Sequence, residues 1–491
     1  MAKRKKKNFT LLLLVLVMII MAGAYVGISK WNDDKEAKKT AESEAKTVAT
    51  IDTSKAVKIS FSNESGTMTL VNDKDIWKNQ ADAAFPVNQT YVASMLAAMS
   101  DIKATKTVAQ KADDLGEYGL KQPSIIAEVT LEDNSIQKVT LGMEVPVAGG
   151  YYALVGEDSK VYAVDTGIYD CFKYTENQMI QMETAPAITT ANITHLTVNT
   201  GDDNKNFEAV YDTEGTGASD YYLWDIKQPY KTDVSADPTQ ISTLLENYGS
   251  FTYNECVDYN CEDPTNYGIS KDGKSIDIAY YEEKSSDTSS DTTDEDVKAT
   301  DDAEKTKTTK IGKSFGLLIG NVNENGDYYV QPVGSKAVYL MSASSVETML
   351  NINAFDYVNK SILLQNIDDV TSIDLVVEGK SHHVTITKPK SDDKEGTNTY
   401  EVDGVKMKAD DFTAAYEKMV GLVLSSESKE KVTDSSPYLT VTIHTTSADK
   451  TVKFLPYDGA NFYRVSADGA ENFLIDKNSV EKMLTSFLNN N

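Results

Sequence analysis

Cysteine is scarce in this chain of 491 residues, which contains only Cys171, Cys256 and Cys261. An odd count argues against a disulfide framework, and no spacing typical of a zinc or iron–sulfur site occurs. Cys256 and Cys261 are compatible either with a local disulfide outside the cytoplasm or with two unpaired, small apolar side chains. An apolar core must therefore stabilise the chain, and its 40% apolar residues are enough for one.

Positive charge is also in deficit. The chain has 48 Lys and Arg residues against 75 Asp and Glu residues, so its formal net charge is −27. A body of this charge repels nucleic acid and anionic lipid headgroups. Nucleic acid is therefore not expected among its partners.

Sequence motifs of known chemistry are lacking. There is no Gly-rich phosphate loop, no His-Glu-x-x-His motif and no calcium loop of the Asp-x-Asp-x-Asp-Gly type. The four histidines are His195, His382, His383 and His444. His382 and His383 are neighbours on a predicted strand, so they point to opposite faces and cannot chelate one metal together. No metal site and no cofactor are predicted.

The Ser-x-x-Lys spacing of penicillin-recognising enzymes occurs at Ser447 and at Ser479, among other serines. Ser447 and Lys450 fall in a predicted hairpin turn, whereas that chemistry needs the pair on the first turn of a helix. Ser479 and Lys482 do open a predicted helix, but the second repeat has Ser345 without a matching lysine. A helix cap explains both serines better. No catalytic residue is therefore predicted.

The first thirty residues predict a cytoplasmic basic start and a transmembrane helix. Residues 3–7 are basic, and residues 9–28 carry no charge. Twenty apolar residues span roughly 30 Å, about one hydrocarbon core. Tyr25 and Trp31 lie at the far end, where aromatic rings favour the interface, and the basic cluster stays cytoplasmic. Residues 31–55 are predicted to form a charged stalk outside the membrane.

A cleaved signal peptide is the alternative to this anchor. Ala22-Gly23-Ala24 matches an Ala-x-Ala cleavage site after a short apolar run. The apolar character continues beyond that site to Ile28, which favours an uncleaved span. No cysteine follows the run, so a lipid-anchored lipoprotein is excluded.

A hairpin rich in tyrosine, followed by a helix, occurs three times. Its copies contain Tyr151-Tyr152, Tyr328-Tyr329 and Phe462-Tyr463. Self-similarity on this scale indicates a repeat architecture. The chain has four tyrosine pairs, which are Tyr151-Tyr152, Tyr221-Tyr222, Tyr280-Tyr281 and Tyr328-Tyr329. Because successive strand residues alternate faces, one tyrosine of each of these pairs is expected in the core. The other tyrosine either packs across strands or contributes to a glycan-binding surface.

The order of predicted strands and helices recurs around each hairpin. It defines units at residues 56–182, 192–352 and 370–488, of which the third is the most diverged. Each unit is predicted to be α+β, with an antiparallel sheet and two helices laid on one face. Residues 285–310 are rich in Ser, Thr, Asp and Lys, and we predict a disordered, acidic insertion at a hairpin tip.

A set of turn formers and core aromatics in the first unit carries a resemblance to a known family. In order, they are Trp77, Phe85-Pro86-Val87, Glu117-Tyr118-Gly119-Leu120 with Pro123, Leu141-Gly142 and Tyr151-Tyr152. With the basic start, apolar span and stalk before them, they resemble the bacterial domain of unknown function 4340 family. The resemblance is strongest over residues 1–182 and extends over residues 192–352, where Tyr267-Gly268-Ile269 and Ile319-Gly320 recur.

The resemblance implies a membrane-tethered envelope protein, accessory to ABC-transporter components of the gliding-associated type. The family has no established catalytic residues that could be assigned to this chain. We therefore expect a bacterial single-pass membrane protein whose extracytoplasmic bulk binds or scaffolds a protein partner. One alternative is a cell-envelope enzyme acting on glycan or peptide, which needs convergent acid, base or nucleophile groups in one cleft. The other is a solute-binding protein, which needs a deep pocket between two lobes.

Overall fold

The computed structural model describes residues 46–146, 149–212, 223–285, 308–389, 397–428, 436–467 and 470–488. These residues form three antiparallel sheets of nine strands each and six α-helices. No helix among them is both long enough and apolar enough to cross a membrane. The predicted basic start and transmembrane helix, residues 1–30, lie outside the described residues, as do residues 31–45 of the predicted stalk.

The first sheet is built from residues 46–164. Its strands are β1 (Lys46–Thr50), β2 (Ala56–Asn63), β3 (Gly66–Asp73), β4 (Ile76–Asn79), β5 (Asp101–Ala109), β6 (Ile125–Leu131), β7 (Ile136–Glu144), β8 (Tyr151–Val155) and β9 (Val161–Val164). Helix α1 (Gln89–Ser100) follows β4 and helix α2 (Gly167–Phe172) follows β9. The spatial order is β1-β5-β9-β8-β7-β6-β2-β3-β4.

Strand β1 corrects the predicted stalk, which was placed at residues 31–55. Residues 46–50 pair with β5, so the first unit begins before residue 56. Thr47, Val48 and Thr50 are β-branched and favour a strand over a solvated stalk.

The second sheet is built from residues 193–341. Its strands are β10 (Ile193–Asn199), β11 (Phe207–Tyr211), β12 (Trp224–Gln228), β13 (Val234–Ser235), β14 (Glu255–Asp258), β15 (Lys274–Ser285), β16 (Thr308–Val322), β17 (Tyr328–Pro332) and β18 (Val338–Met341). Helix α3 (Pro238–Leu245) follows β13 and helix α4 (Ala343–Leu350) follows β18. The spatial order is β13-β12-β11-β10-β15-β16-β17-β18-β14.

The hairpin of β15 and β16 shortens the predicted insertion at residues 285–310. The two strands pair from Lys274 opposite Ile319 to Ser285 opposite Thr308. Ser285 and residues 308–310 are therefore part of the ladder. Residues 286–307, the rest of that insertion, lie outside the described residues.

The third sheet is built from residues 370–476. Its strands are β19 (Val370–Val377), β20 (Lys380–Thr387), β21 (Thr399–Val402), β22 (Val405–Met407), β23 (Ser426–Glu427), β24 (Leu439–Thr445), β25 (Lys450–Pro456), β26 (Phe462–Ala467) and β27 (Ala470–Asp476). Helix α5 (Ala409–Val420) follows β22 and helix α6 (Lys477–Leu488) follows β27. The spatial order is β22-β21-β20-β19-β24-β25-β26-β27-β23.

All three sheets share one path of eight strands. The path β4-β3-β2-β6-β7-β8-β9-β5 of the first sheet corresponds to β12-β11-β10-β15-β16-β17-β18-β14 and to β21-β20-β19-β24-β25-β26-β27-β23. The ninth strand is added at one edge of the first sheet and at the opposite edge of the other two. This shared path confirms the predicted tandem organisation, and the third sheet is a complete copy despite its diverged sequence.

The three repeat units form two compact bodies. The first sheet belongs to a body that ends at Glu183, and the second and third sheets share a body that begins at Thr184. Within the latter, the backbone N–H of Leu424 donates to the carbonyl of Lys360 at 2.9 Å. The ring of Tyr230 also packs on Phe473, with centroids 5.3 Å apart.

Close backbone packing explains the Tyr-Gly residues of the first two units. We call Tyr118-Gly119 and Tyr267-Gly268 the Tyr-Gly turns; each glycine ends a short 3-10 helix in the left-handed region, with φ of +71° and +73°. A Cβ on Gly142 would lie 2.0 Å from the Tyr118 carbonyl oxygen. A Cβ on Gly320 would lie 2.3 Å from the Tyr267 carbonyl oxygen. Both strand glycines therefore give room for a turn to pack on its sheet.

The capping prediction for Ser345 and Ser479 is wrong in its residues. The hydroxyl of Ser342 accepts from the backbone N–H of Ser345 at 3.3 Å, and the carboxylate of Asp476 accepts from that of Ser479 at 2.7 Å. The capping side chains therefore stand three residues earlier. Ser345 and Ser479 supply the N–H groups that are capped.

Candidate ligand-binding site

A partly open cavity of about 560 Å³ lies in the first unit. It is formed by the ends of β2, β3 and β4 together with the segment that follows α2. Small-molecule sites have volumes of roughly 300–1,000 Å³. The cavity is therefore large enough for a ligand.

Asn63 builds the wall between the β2–β3 turn and the segment after α2. Its side-chain oxygen accepts from the backbone N–H of Ser65 at 2.8 Å. Its side-chain nitrogen donates to the carbonyls of Phe172 and Tyr174, both at 2.9 Å. Gly66, which follows in the turn, has a φ of +137° that favours glycine. These bonds fix the shape of the cavity without a ligand.

The polar groups of the cavity are almost all neutral. Thr67, Asn79 and Gln80 contribute a hydroxyl and two amides, and Glu176 supplies a carboxylate. Asn79 is only 5% exposed, and its side-chain oxygen accepts from the backbone N–H of Ala81 at 3.0 Å. Among the described residues that line the cavity, none is Lys, Arg or His. The site therefore suits a neutral or cationic polar ligand better than an anion.

Tyr174 supplies an aromatic wall. Its ring stacks on Tyr91, with centroids 4.4 Å apart and planes 1° from parallel. Burial, and secondarily the neighbouring Tyr91, raises the pKa of the Tyr174 hydroxyl, so it remains a neutral donor at neutral pH. Phe61 and Met68, both buried, add apolar surface.

These side chains favour binding over catalysis. The cavity lining contains Ser65 and Thr67, but in the described part of the chain no histidine lines it as a base. In the same part, no three His, Cys, Asp or Glu side chains are arranged to hold a metal ion. The geometry can therefore orient a polar ligand by hydrogen bonds and aromatic contact.

Three of the four histidines lie in the third unit, and two of them join one network. We call Asp449, His444, Asp374 and His383 the Asp–His chain. The ring of His444 contacts Asp449 through Nδ1 at 2.9 Å and Asp374 through Nε2 at 3.0 Å. Asp374 also contacts His383 Nδ1 at 2.5 Å. A neutral imidazole has one N–H, so both His444 contacts are hydrogen bonds only when the ring is protonated.

The sheet register creates the Asp–His chain. Asp374 on β19 is directly opposite His383 on β20, and Ser372 on β19 is opposite His444 on β24. The sequence prediction did not connect His383 or His444 with an aspartate. The signal it missed is an aspartate and two histidines on the same-face positions of three adjacent strands.

The Asp–His chain predicts a specific pH dependence of stability. The contact with Asp374 is the main cause that raises the pKa of His444, and His383 and then His444 lower the pKa of Asp374. The contribution of His444 to folding stability is thus complete below the ordinary histidine pKa of about 6.5, and it is lost as the pH rises through the raised pKa. The contribution of Asp374 to folding stability is complete above the ordinary aspartate pKa of about 3.8, and it is lost as the pH falls through the lowered pKa.

We therefore expect the melting temperature to fall more steeply above about pH 6.5 in the wild type than in His444→Gln. Asp449→Asn should give an intermediate slope because it removes one of the two carboxylates. Gln137→Ala, which changes no titratable group, serves as the control and should keep the wild-type slope. Equal slopes for the wild type and His444→Gln would contradict a stabilising role of protonated His444 in the Asp–His chain.

The remaining histidines have separate partners. His382 is mostly buried and its Nδ1 contacts Asp403 at 2.7 Å, whereas the side chain of His383 is 53% exposed. This confirms that they occupy opposite faces. His195 Nε2 contacts Glu208 at 2.9 Å in the second unit.

Neither the Ser-x-x-Lys spacing nor the cysteines form a site. Ser447 lies in the β24–β25 turn, where its hydroxyl contacts that of Thr445 at 3.1 Å, and the segment is not helical. All three cysteines fall within the described residues, and none is in a disulfide. The alternative of a Cys256–Cys261 disulfide is therefore not realised.

The tyrosine pairs pack mainly within their own units. Tyr151 stacks on Tyr169, with ring centroids 4.2 Å apart, and burial raises its pKa to about 12. Tyr152 and Tyr329 contact Tyr118 and Tyr267 of the Tyr-Gly turns, at 5.1 and 4.9 Å between ring centroids. This arrangement favours the packing interpretation over a glycan-binding surface made by the pairs. Tyr221-Tyr222 lies outside the described residues.

Comparison with known proteins identifies a family but no better-understood relative. The family model described as "Domain of unknown function (DUF4340)" matches residues 77–272 and again residues 224–439. The two matches overlap at residues 224–272, within the second unit, and together span well over half of the chain. No curated protein and no solved structure matches the chain.

Proposed function

Because this chain belongs to the DUF4340 family and carries a formed polar cavity, we propose that it is a ligand-binding protein tethered to the bacterial cell membrane. Residues 1–30 would anchor it with the N-terminus in the cytoplasm, and the three sheets would lie outside. Its partner would be a membrane protein of the envelope, with ABC-transporter components as the candidates that the family resemblance suggests.

The cavity of the first unit carries this proposal. Its amides, hydroxyls and single carboxylate can hold a polar molecule, and its walls are fixed by hydrogen bonds of Asn63. The solute-binding alternative predicted a pocket between two lobes. The proposed site is also a ligand pocket, but it lies within one unit. An envelope enzyme would need a base hydrogen-bonded to a nucleophile, and Glu176 makes no such hydrogen bond to Ser65 or Thr67 among the described residues.

We also propose that each unit is a sheet covered on one face by its two helices. Helix α1 buries Val92, Met95 and Met99, and helix α6 buries four apolar residues spaced at helical intervals. Strand β6 alternates between buried and half-buried residues along its whole length. One covered face and one solvated face account for both patterns.

Native mass spectrometry of the full chain tests this function. The protein should be recovered from the membrane fraction of its source cells, and it should carry a small bound molecule after gentle detergent extraction. Gln80→Ala removes an exposed amide that lines the cavity and should reduce the bound fraction by about tenfold, the effect of roughly one hydrogen bond.

Gln137→Ala is the matched control because Gln137 is a half-buried glutamine of β7 that does not line the cavity. It should retain the ligand. A wild-type protein that carries no ligand, or that is recovered only from the soluble fraction, would overturn the proposed function.

A further inference from the structure

We propose that the ligand of the first-unit cavity is a neutral oligosaccharide. This inference rests on the proposed function and narrows its ligand to one chemical class.

The charge of the lining disfavours anionic ligands and attracts cationic ones only weakly. Among the described lining residues, Glu176 is the single charged side chain, and it is exposed to solvent. An exposed carboxylate is screened by water and salt and attracts a cation only weakly. A neutral ligand requires no further charge in the site.

The polar groups match a ligand that both donates and accepts at many points. Amide and hydroxyl side chains offer both functions, as do sugar hydroxyls. Asn79 lines the cavity while 95% of its surface is covered, and its oxygen already accepts from Ala81. Its side-chain nitrogen has no hydrogen-bond partner among the described residues, so this donor is available to a ligand.

Tyr174 adds a flat apolar wall next to these polar groups. Because its ring stacks on Tyr91, it is held in place before a ligand arrives. A sugar ring has an apolar face and a hydroxyl-bearing edge, which fits an aromatic wall beside amides. The volume of 560 Å³ accommodates two to three sugar rings at roughly 150–200 Å³ each, within the usual size of ligand pockets.

Peptide binding by strand addition is blocked at this site. Strand β2 is paired with β3 and β6, and β3 is paired with β2 and β4. Strand β4 is the sheet edge, but Gln89 covers it at Trp77: its side chain accepts from the Trp77 N–H and donates to the Trp77 carbonyl, both at 2.9 Å. The edge is therefore closed to an extended peptide at Trp77, two residues before the cavity-lining Asn79.

Calorimetric titration of the full chain tests the class of ligand. The protein is held in a detergent without a sugar headgroup, because a glycosidic detergent would compete for the site. The probes are tri-N-acetylchitotriose and maltotriose as neutral oligosaccharides, spermidine as a cation and tri-alanine as a peptide. We expect at least one trisaccharide to bind, and Tyr174→Leu and Gln80→Ala each to weaken it by about tenfold.

Gln137→Ala should bind that trisaccharide with the wild-type affinity. If only spermidine or tri-alanine binds, and Gln80→Ala weakens that binding, the ligand is not an oligosaccharide. The proposed function would remain in place. If neither trisaccharide binds, the proposal of an oligosaccharide ligand is likewise wrong. The proposed function itself fails if native mass spectrometry also finds no ligand on the wild-type protein, or if the protein is recovered only from the soluble fraction.

Discussion

Replacing Gly142 with alanine is expected to destabilise the first unit by about 3 kcal/mol. The added Cβ would lie 2.0 Å from the Tyr118 carbonyl oxygen and 3.1 Å from Leu120 Cγ. Because the nearer atom belongs to the backbone of the Tyr-Gly turn, no side chain can rotate away to relieve the contact. Either the turn must leave β7 or the strand must shift. Hydrogen–deuterium exchange of the full chain should show faster exchange across residues 115–144.

Two further variants make this prediction specific to the contact. Gly320→Ala should have the same effect in the second unit, where the Cβ would lie 2.3 Å from the Tyr267 carbonyl oxygen. Gly312→Ala is the matched control, because a Cβ at Gly312 on β16 meets nothing within 4 Å. If Gly142→Ala exchanges as slowly as Gly312→Ala, the turn does not depend on that close approach.

The Tyr-Gly turns show what a sequence can and cannot predict here. The recurrence of Tyr-Gly and of a strand glycine in two units predicted repeated turns, and the shared strand path confirms the repeats. The reason for each strand glycine is a contact with the carbonyl of a distant turn residue: Tyr118 lies 24 positions before Gly142, and Tyr267 lies 53 positions before Gly320. Periodicity does not report such contacts, because it describes only neighbours along one element.

The start of strand β5 cannot be located from the sequence for a different reason. One helical face is predicted for Tyr91, Val92, Met95, Leu96, Met99 and Ile102, because position 102 fits the helical spacing after Met95 and Met99. The helix ends at Ser100, and Ile102 instead begins the alternation of β5 with Ala104, both buried. Where a helix runs directly into a strand, one apolar residue satisfies both periods. Pairing with β1 and β9 decides between them.

The cavity could not be predicted because its walls come from four separate segments. Asn63, Asn79 and Tyr174 are unremarkable polar and aromatic residues in the sequence, and none belongs to a motif. They come together because β2 and β4 flank β3 and because the segment after α2 returns to the β2–β3 turn. Hydrogen bonds of the Asn63 side chain fix that return, over a separation of 111 positions to Tyr174.

Replacing Tyr230 with alanine is expected to weaken the packing between the second and third sheets by about 2 kcal/mol. Tyr230 follows β12 of the second sheet, yet its hydroxyl donates to Glu427 on β23 of the third. Its ring packs edge-on against Phe473, which also lies 6.0 Å from Phe355 between ring centroids. Burial, and then Glu427, raises the pKa of the Tyr230 hydroxyl, so it stays a neutral donor. The half-buried ring and its hydrogen bond are lost together in the variant.

Tyr230→Phe separates the two contributions, because it keeps the ring and removes only the hydrogen bond. It should cost about 1 kcal/mol. Tyr281→Ala is the control on the β15–β16 hairpin, where the ring contacts Lys310, and its effect should stay below that of Tyr230→Ala. Exchange at β23 and β27 should accelerate in Tyr230→Ala while exchange in the first sheet stays unchanged. If β23 and β27 exchange at the wild-type rate, Tyr230 does not hold the third sheet to the second, and the contacts of Leu424 with Lys360 must be sufficient.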